Sequence, residues 1–173
     1  MTTGAEPFGE DANGGVGIDR LVARDVMTSD VVTLTPSQPL RDAARVLLDR
    51  GVSGAPVVDS EGRLVGILSE RDLIDGEKRR THLPHVSLFG VFILSEETLR
   101  RAFSDGGFIE VREIMTPKPI YVDPETRLTE ITGLLTARKV NRIPVVDGGR
   151  VVGIITRGDI LRALSREWEQ AEQ

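Results

Sequence analysis

Apolar positions along the chain recur in short blocks that alternate between helical and strand-like spacing. Residues 40–48 place leucine and alanine three and four positions apart, which predicts a helix with one buried face. Residues 56–59 and 64–68 form continuous apolar runs on either side of a polar turn, which predicts a buried hairpin. An extended run at 31–34 precedes the helix, and a second helix begins near Asp72. The predicted order is therefore strand, helix, strand, strand, helix.

The same succession of elements returns in the second half of the chain. Arg-Asp-Val-Met-Thr at 24–28 is matched by Arg-Glu-Ile-Met-Thr at 112–116, an offset of 88 residues. The same offset relates the Pro-Val-Val-Asp sequences at 56–59 and 144–147. One residue is then lost in the second turn, and the offset is 87 from there on. Because order, spacing and residue class agree, we infer two copies of one unit, which stack to bury faces that one copy cannot bury alone.

This repeat divides the chain into five parts. We expect a disordered leader, because its Gly, Thr, Asp and Glu residues show no hydrophobic periodicity. A partly helical insert separates the two copies, and a polar helical tail follows the second. The predicted parts are the leader 1–20, the first repeat 21–75, the insert 76–111, the second repeat 112–164 and the tail 165–173. The predicted fold class is α/β (α+β), with the two repeats related by a pseudo-twofold axis.

Composition and charge exclude several classes of protein. The 173 residues are 39% hydrophobic, which is enough for one compact domain with a core. No cysteine is present, which excludes disulfides and thiolate metal sites and fits a cytoplasmic protein. Residues 1–20 lack the features of a secretory signal, and the apolar stretch 86–94 is too short to span a membrane. A net charge of −5 argues against a protein that coats nucleic acid.

Two polar pairs at equivalent positions are the strongest candidates for binding chemistry: Ser69 with Asp72, and Thr156 with Asp159. Each pair follows a strand and opens a helix, whose free amide groups and positive dipole end suit a phosphate. A carboxylate can accept hydrogen bonds from the vicinal hydroxyls of a ribose, and the Ser or Thr hydroxyl can donate to the phosphate. The same spacing is also a near match to a capping box, which needs no ligand. One copy alone would favour the cap.

Candidates for catalysis or for metal binding are few. His82 and His85 are three residues apart, but Pro84 lies between them and no carboxylate or thiol cluster joins them. The glycines at 14–17 follow no strand, so they do not form a dinucleotide-binding motif, and no Walker sequence is present. With two histidines, general base catalysis has few candidates. We therefore expect no enzyme activity, no catalytic residue, no metal site and no required cofactor.

The repeated motifs resemble the cystathionine-beta-synthase (CBS) domain family. The first copy has Val-Met-Thr at 26–28, Ala-Pro-Val-Val-Asp at 55–59 and Val-Gly-Ile followed by Ser-x-x-Asp at 65–72. The second copy has the same order of motifs, and the resemblance covers 24–164 apart from the insert. It implies a Bateman module with an adenosine ligand in the cleft between the repeats, commonly AMP, ADP, ATP or S-adenosylmethionine. Pairs of this kind usually assemble into homodimers.

The resemblance also implies a set of site residues. The two polar pairs would hold ribose and phosphate, backbone atoms beside the repeated prolines would read the adenine edge, and Val32 and Ile120 would wall the ring unless they are plain core. Arg142 stands where the family often supplies a phosphate-binding arginine, with a surface arginine as an equal alternative. Its counterpart is Gly54, so we expect one better phosphate site and one weaker or empty site. The predicted nucleotide-binding residues are Ser69, Asp72, Thr156, Asp159, Arg142, Ala55, Pro56, Ile143, Pro144, Val32 and Ile120.

The function predicted from these features is a regulatory module that senses an adenine nucleotide or a related adenosyl ligand and acts on a regulated protein that the sequence does not identify. The alternative is a ligand-independent dimerisation scaffold that docks a partner through apolar residues of the insert: Leu88, Phe89, Val91 and Phe92. A third possibility is an enzyme or the regulatory piece of one, for which no catalytic arrangement stands out. DNA binding is disfavoured by the acidic balance.

Overall fold

Helices and strands alternate along both halves of the chain, which confirms the predicted mixed α/β (α+β) class. The computed structural model describes residues 17–75 and 109–171. The elements of the first range are a 3-10 helix η1 (Gly17–Arg20), α1 (Ala23–Val26), α2 (Leu40–Asp49), β1 (Gly54–Val58), β2 (Leu64–Ser69) and α3 (Glu70–Asp75). Those of the second range are α4 (Val111–Ile114), β3 (Thr116–Pro117), α5 (Leu128–Ala137), β4 (Arg142–Asp147), β5 (Arg150–Thr156) and α6 (Arg157–Ala171).

A β-hairpin is the centre of each copy. β1 pairs antiparallel with β2, with Gly54 opposite Ser69. β4 pairs antiparallel with β5, with Arg142 opposite Thr156. In each hairpin the start of the first strand therefore lies beside the end of the second strand, where the following helix begins.

Each copy buries one face of a ten-residue helix against its hairpin. The buried positions recur three and four residues apart, as expected for a helix face. They are Leu40, Ala43 and Leu47 in α2 and Leu128, Ile131 and Leu135 in α5. Leu48, which belongs to the apolar pattern of the sequence, is 56% exposed because it lies beside the buried stripe and outside it.

The extended runs that precede these helices form one bridge each in place of a full strand. Leu34 pairs with Val57, and Val122 pairs with Val145, both in parallel. A proline stands two residues after each bridge, at Pro36 and at 124. Because proline has no backbone N–H to donate, it limits the pairing to this short length.

The segments that lead into the two copies are exchanged between them. Thr28, just after α1, pairs with a residue of β5, and β3 pairs with β2. Ala23 is buried in the core of the second copy, whereas Ile109 and Val111 are buried in the core of the first. Each copy therefore contributes a short segment that packs on the other copy, and these two segments join the copies.

Some predicted parts lie outside the described residues. Of the leader, only 17–20 is described, and it forms η1. The insert is described from residue 109 onward, so the predicted docking segment and both histidines lie outside. The tail continues α6 as far as Ala171, and Trp168 on this helix is 54% exposed.

Candidate functional site

The corner between β2 and α3 brings three polar side chains together, and we call it the Asp72 corner: Ser69, Asp72 and Thr116. The backbone N–H and the hydroxyl of Ser69 both donate to Oδ2 of Asp72, at 2.8 and 2.6 Å. The hydroxyl of Thr116, from the exchanged segment, donates to Oδ1 at 2.5 Å. Asp72 is half-buried, so this residue keeps contact with solvent.

The equivalent corner between β5 and α6, the Asp159 corner, contains Thr156, Asp159 and Thr28. The backbone N–H and the hydroxyl of Thr156 donate to Oδ2 of Asp159, at 2.7 and 2.5 Å. The hydroxyl of Thr28 donates to Oδ1 at 3.1 Å. Arg162 forms an ion pair with the same Oδ1. Asp159 is only 4% exposed, so it is more enclosed than the half-buried Asp72.

These contacts include the capping interaction that competes with the ligand hypothesis. In both corners the Asp carboxylate accepts the backbone N–H of the residue three positions earlier, as in a capping box. A carboxylate has about four lone-pair sites. The cap at the start of α3 therefore leaves Asp72 with free acceptor capacity. Nucleotide binding by Ser69 and Asp72 stays a prediction.

The charge state of Asp159 is set by its partners. Burial alone would raise the pKa of this carboxyl, but the hydrogen bonds from Thr156 and Thr28 and the positive charge of Arg162 outweigh burial. The pKa is therefore below its ordinary value of 3.8. Because the folded state lowers the pKa, ionised Asp159 stabilises the fold above the unfolded-state pKa, and this stabilisation is lost as the pH falls through the folded pKa.

An Asp159→Asn substitution is expected to lower the free energy of unfolding at neutral pH by about 1 kcal/mol, because its donors lose an anionic acceptor. As the pH falls from roughly 5 through the folded-state pKa of Asp159, the wild-type protein should lose more stability than the variant. Urea unfolding at a series of pH values measures both effects. Asp49→Asn, at an exposed position of α2, is the control. Equal pH dependence in wild type and Asp159→Asn would contradict the role given to this carboxylate.

Arg142 begins β4 in the second copy, but its guanidinium lies against the first copy. Nη2 donates to Oγ of Ser53 at 2.6 Å. Nη1 fills the space that a Cβ at residue 54 would need, which the glycine leaves open. Burial lowers the pKa of Arg142, and the carboxylates of Glu70 and Asp72 raise it. The second copy therefore places a cation beside the Asp72 corner.

The apolar residues and prolines predicted to contact adenine lie in the two cores or beside them. The four strand residues are buried: Ala55, Pro56, Ile143 and Pro144. Val32 and Ile120 are half-buried and pack against the two cores. The carbonyl oxygens of Pro56 and Pro144 each accept a backbone hydrogen bond from the preceding extended run. Core packing accounts for the side chains, and the contact of these positions with adenine stays a prediction.

A cavity of about 190 Å³ lies between the exchanged segment that contains α1 and the helix α6. Its lining includes Thr28, Asp159, Arg162 and Arg166. Pockets for ligands of drug size measure roughly 300 to 1,000 Å³. The volume of this cavity lies below that range.

Three polar residues at the corners were missed by the sequence reasoning. Thr28 and Thr116 occupy equivalent positions in the repeat, and this equivalence was a signal that could have found them. Arg162 lies three residues after Asp159 on one helix, a spacing at which side chains of opposite charge meet. The sequence also did not show that the Arg142 side chain contacts the first copy, because this contact depends on how the two hairpins face each other.

The described residues contain neither a metal-binding cluster nor a membrane-spanning helix. No three of their Asp and Glu side chains converge as ligands of an ion would. None of their helices combines the length and the hydropathy that crossing a bilayer requires.

The chain is similar to known proteins over most of its length. The family model of the CBS domain matches residues 23–78 and 111–166. The chloroplastic CBS domain-containing protein CBSX2 of Arabidopsis thaliana is 34% identical over 161 residues, which are 85% of this chain and 66% of that protein. An uncharacterized protein of Methanocaldococcus jannaschii is 31% identical over 154 residues, 83% of this chain and 91% of that protein. The crystal structure of CBSX2 in complex with AMP matches with a TM-score of 0.63 at 31% identity, covering 84% of this chain and 97% of that chain.

Proposed function

This chain belongs to the CBS domain family and contains two copies of the domain, and on that premise we propose that it is a regulatory module that binds an adenine nucleotide between the two copies and is not itself an enzyme. One observation carries the proposal. Asp72 and Asp159 each lie in the first turn of the helix that follows a hairpin. Each accepts a hydrogen bond from a hydroxyl of the segment exchanged from the other copy, Thr116 or Thr28. The vicinal hydroxyls of a ribose are donors of the same kind. A ribose could therefore take the place of a threonine at either carboxylate.

The ligand class in this proposal is adenosyl, and it requires no further cofactor. The similar CBSX2 has been crystallised in complex with AMP, which supports AMP as the first ligand to test. ADP, ATP and S-adenosylmethionine remain candidates because they share the adenosine group. The phosphate would be held by a cation at the junction of the copies, and Arg142 lies at that junction.

Regulation follows in this proposal from a ligand that touches both copies. Such a ligand shifts their relative arrangement only by its difference in affinity for the two arrangements. A ligand with a Kd of about 1 μM contributes roughly 8 kcal/mol of binding free energy, and only part of this can drive a shift. The exchanged threonines are the contacts through which this shift would act, since ribose binding competes with them.

The proposal predicts that AMP binds with a Kd well below about 1 mM and that the double variant Asp72→Ala/Asp159→Ala weakens binding by about tenfold or more, because the ribose loses its acceptors. Isothermal titration with AMP, ATP and S-adenosylmethionine measures this. Asp49→Ala, on the exposed side of α2, is the matched control. If the wild-type protein binds none of the three ligands below millimolar concentration, the proposed function is wrong.

We also propose that the module is a homodimer. Leu161 and Trp168 lie seven residues apart on α6, which places them on one face of the helix, and they are 64% and 54% exposed. An apolar face of this kind suits a contact between the α6 helices of two chains. A cytoplasmic location stays a prediction, as does a regulated protein partner; the similar Arabidopsis protein is named as chloroplastic.

The competing hypothesis is a scaffold that docks a partner through the insert and needs no ligand. The docking segment lies outside the described residues, so no contact favours this hypothesis over ligand sensing. Pull-down of a partner by the full chain and by a chain without the insert separates the two. Capture that depends on the insert and does not respond to AMP would support the scaffold.

A further inference from the structure

Met27 lies in the exchanged segment that contains α1, where this segment packs on the second copy. Its sulfur occupies the space that a Cβ on Gly153 of β5 would need, and the residue is half-buried. We propose that Met27 is a site of reversible oxidation by small peroxides and that its sulfoxide loosens this segment from the second copy. The proposal stands whether or not the chain binds a nucleotide.

A small oxidant can reach Met27 through the cavity between the exchanged segment and α6. Met27 lines this cavity, which measures about 190 Å³. A water molecule takes up roughly 30 Å³ in the liquid, and hydrogen peroxide is only slightly larger, so the cavity has room for it. Arg162 and Arg166 line the same cavity, and their guanidinium groups are hydrogen-bond donors. They can therefore hold a peroxide by its oxygen atoms beside the methionine.

Oxidation of a thioether by a peroxide needs no cofactor. A lone pair of the Met27 sulfur attacks one oxygen of hydrogen peroxide, an S–O bond forms, and the O–O bond breaks. The proton on the transferred oxygen goes to the departing hydroxide, so the products are methionine sulfoxide and water. The sulfur is oxidised and the peroxide is reduced. A hydrogen bond from a guanidinium of the cavity to the departing oxygen would stabilise the charge that develops there.

The composition of the chain makes methionine the expected target of a peroxide. Thiolates are the usual first targets, and the chain has no cysteine. Its methionines are Met1, Met27 and Met115. Met115 packs on Gly66 of β2 as Met27 packs on β5, but it does not line the cavity. It is therefore the comparison within the same chain that shows what the cavity contributes.

A sulfoxide at Met27 is incompatible with the packing of the reduced side chain. Oxidation adds a polar oxygen to an apolar thioether. A Cβ on Gly153 would lie 2.8 Å from Cγ and 3.1 Å from Cβ of Met27, so the whole side chain lies close against the backbone of β5. The added oxygen needs space and a hydrogen-bond donor, and without a donor its burial is costly. The segment must therefore move away from β5.

This movement would act on the contacts of the next residue, Thr28. Its backbone exchanges two hydrogen bonds with Ile154 of β5, at 2.9 and 3.0 Å, and its hydroxyl donates to Asp159. These bonds hold the exchanged segment on the second copy. The oxidation of one sulfur atom would thus weaken the attachment between the copies.

The test is treatment of the folded full chain with hydrogen peroxide. Mass spectrometry of the tryptic peptides 25–41 and 113–127 shows which methionine gains an oxygen atom. We expect Met27 to be oxidised faster than Met115. The urea midpoint of the protein oxidised at Met27 should fall by roughly 0.5–1 M, because a polar group is added at a packed contact. Reduction by a methionine sulfoxide reductase should restore the midpoint.

Two matched variants locate the effect. Met27→Leu removes the sulfur and keeps a side chain of similar volume, and peroxide should leave its urea midpoint unchanged. Met115→Leu should keep the full peroxide-dependent shift. If Met27→Leu does not fold, norleucine in place of methionine supplies the same control, because a methylene group replaces the sulfur.

Three results would overturn the inference. One is a Met27 that stays reduced in the folded protein under conditions that oxidise the urea-unfolded chain. Another is an oxidised Met27 with an unchanged urea midpoint. The third is an equal response of Met27→Leu and wild type to peroxide, which would assign the damage to Met115 or to another residue such as the exposed Trp168.

Discussion

Replacing Gly54 by alanine is expected to lower the free energy of unfolding by about 3 kcal/mol, the upper end of the usual cost of overpacking. The added Cβ would lie 2.6 Å from the carbonyl oxygen of Leu68 and 2.8 Å from the Cα of Ser69, and it would overlap the guanidinium of Arg142. The first two atoms belong to the backbone of the strand that β1 pairs with. They cannot withdraw without disturbing the hairpin. Urea unfolding followed by circular dichroism measures the loss.

The same substitution at an open helical position is the control. Gly133 lies in α5, and a Cβ there would meet nothing within 4 Å. Gly133→Ala is expected to raise the free energy of unfolding by about 0.5–1 kcal/mol, since alanine favours the helix. Combining Gly54→Ala with Arg142→Ala removes only the side-chain overlap, so this double variant should remain destabilised. A Gly54→Ala protein as stable as wild type would show that neither the paired strand β2 nor Arg142 packs tightly against this glycine.

Much of the fold could be predicted from the sequence because burial is periodic and the period occurs twice. The apolar stripe in α5 and the continuous apolar runs of the hairpins each mark a face that is buried in the core. The repeat indicates that both halves bury these faces in the same arrangement. The exchange of segments could not be predicted. Met27 and Met115 stand at equivalent positions in the two copies, and either could pack on its own copy or on the other. Only the facing of the two hairpins decides between these arrangements.

The residues of the candidate site could largely be predicted from the sequence, but the source of the difference between its two corners could not. Ser69 and Asp72 could be found because the repeat presents the same pair twice, and Gly54 opposite Arg142 already indicated that the corners are unequal. The difference between the two corners comes from the direction of the Arg142 side chain and from the ion pair of Arg162 with Asp159. Surface arginines on a polar helix carry no such signal in a single sequence, because solvated charges have the same pattern.

A Gly153→Ala substitution is expected to lower the free energy of unfolding by about 2 kcal/mol, because the new Cβ would overlap the side chain of Met27 from the exchanged segment. One of the overlapping atoms is the Cβ of Met27, at 3.1 Å, which is fixed to the backbone. At the equivalent Gly66 the Cβ would meet Sδ, Cε and Cγ of Met115, which are farther along a flexible chain. Gly66→Ala is therefore expected to cost less than Gly153→Ala, as measured by urea unfolding.

A double-mutant cycle shows whether this overlap is the cause. Met27→Ala alone removes a half-buried side chain and should also destabilise the protein, but Met27→Ala with Gly153→Ala should lose less stability than the sum of the two single losses, by about 1 kcal/mol. Because Met27 precedes Thr28, whose hydroxyl bonds Asp159, Gly153→Ala should also disturb that hydrogen bond and reduce the pH dependence that Asp159 confers. Strictly additive losses would mean that Gly153 is required for a reason other than the packing of Met27. The exchanged segment would then not be held at the Asp159 corner by this contact.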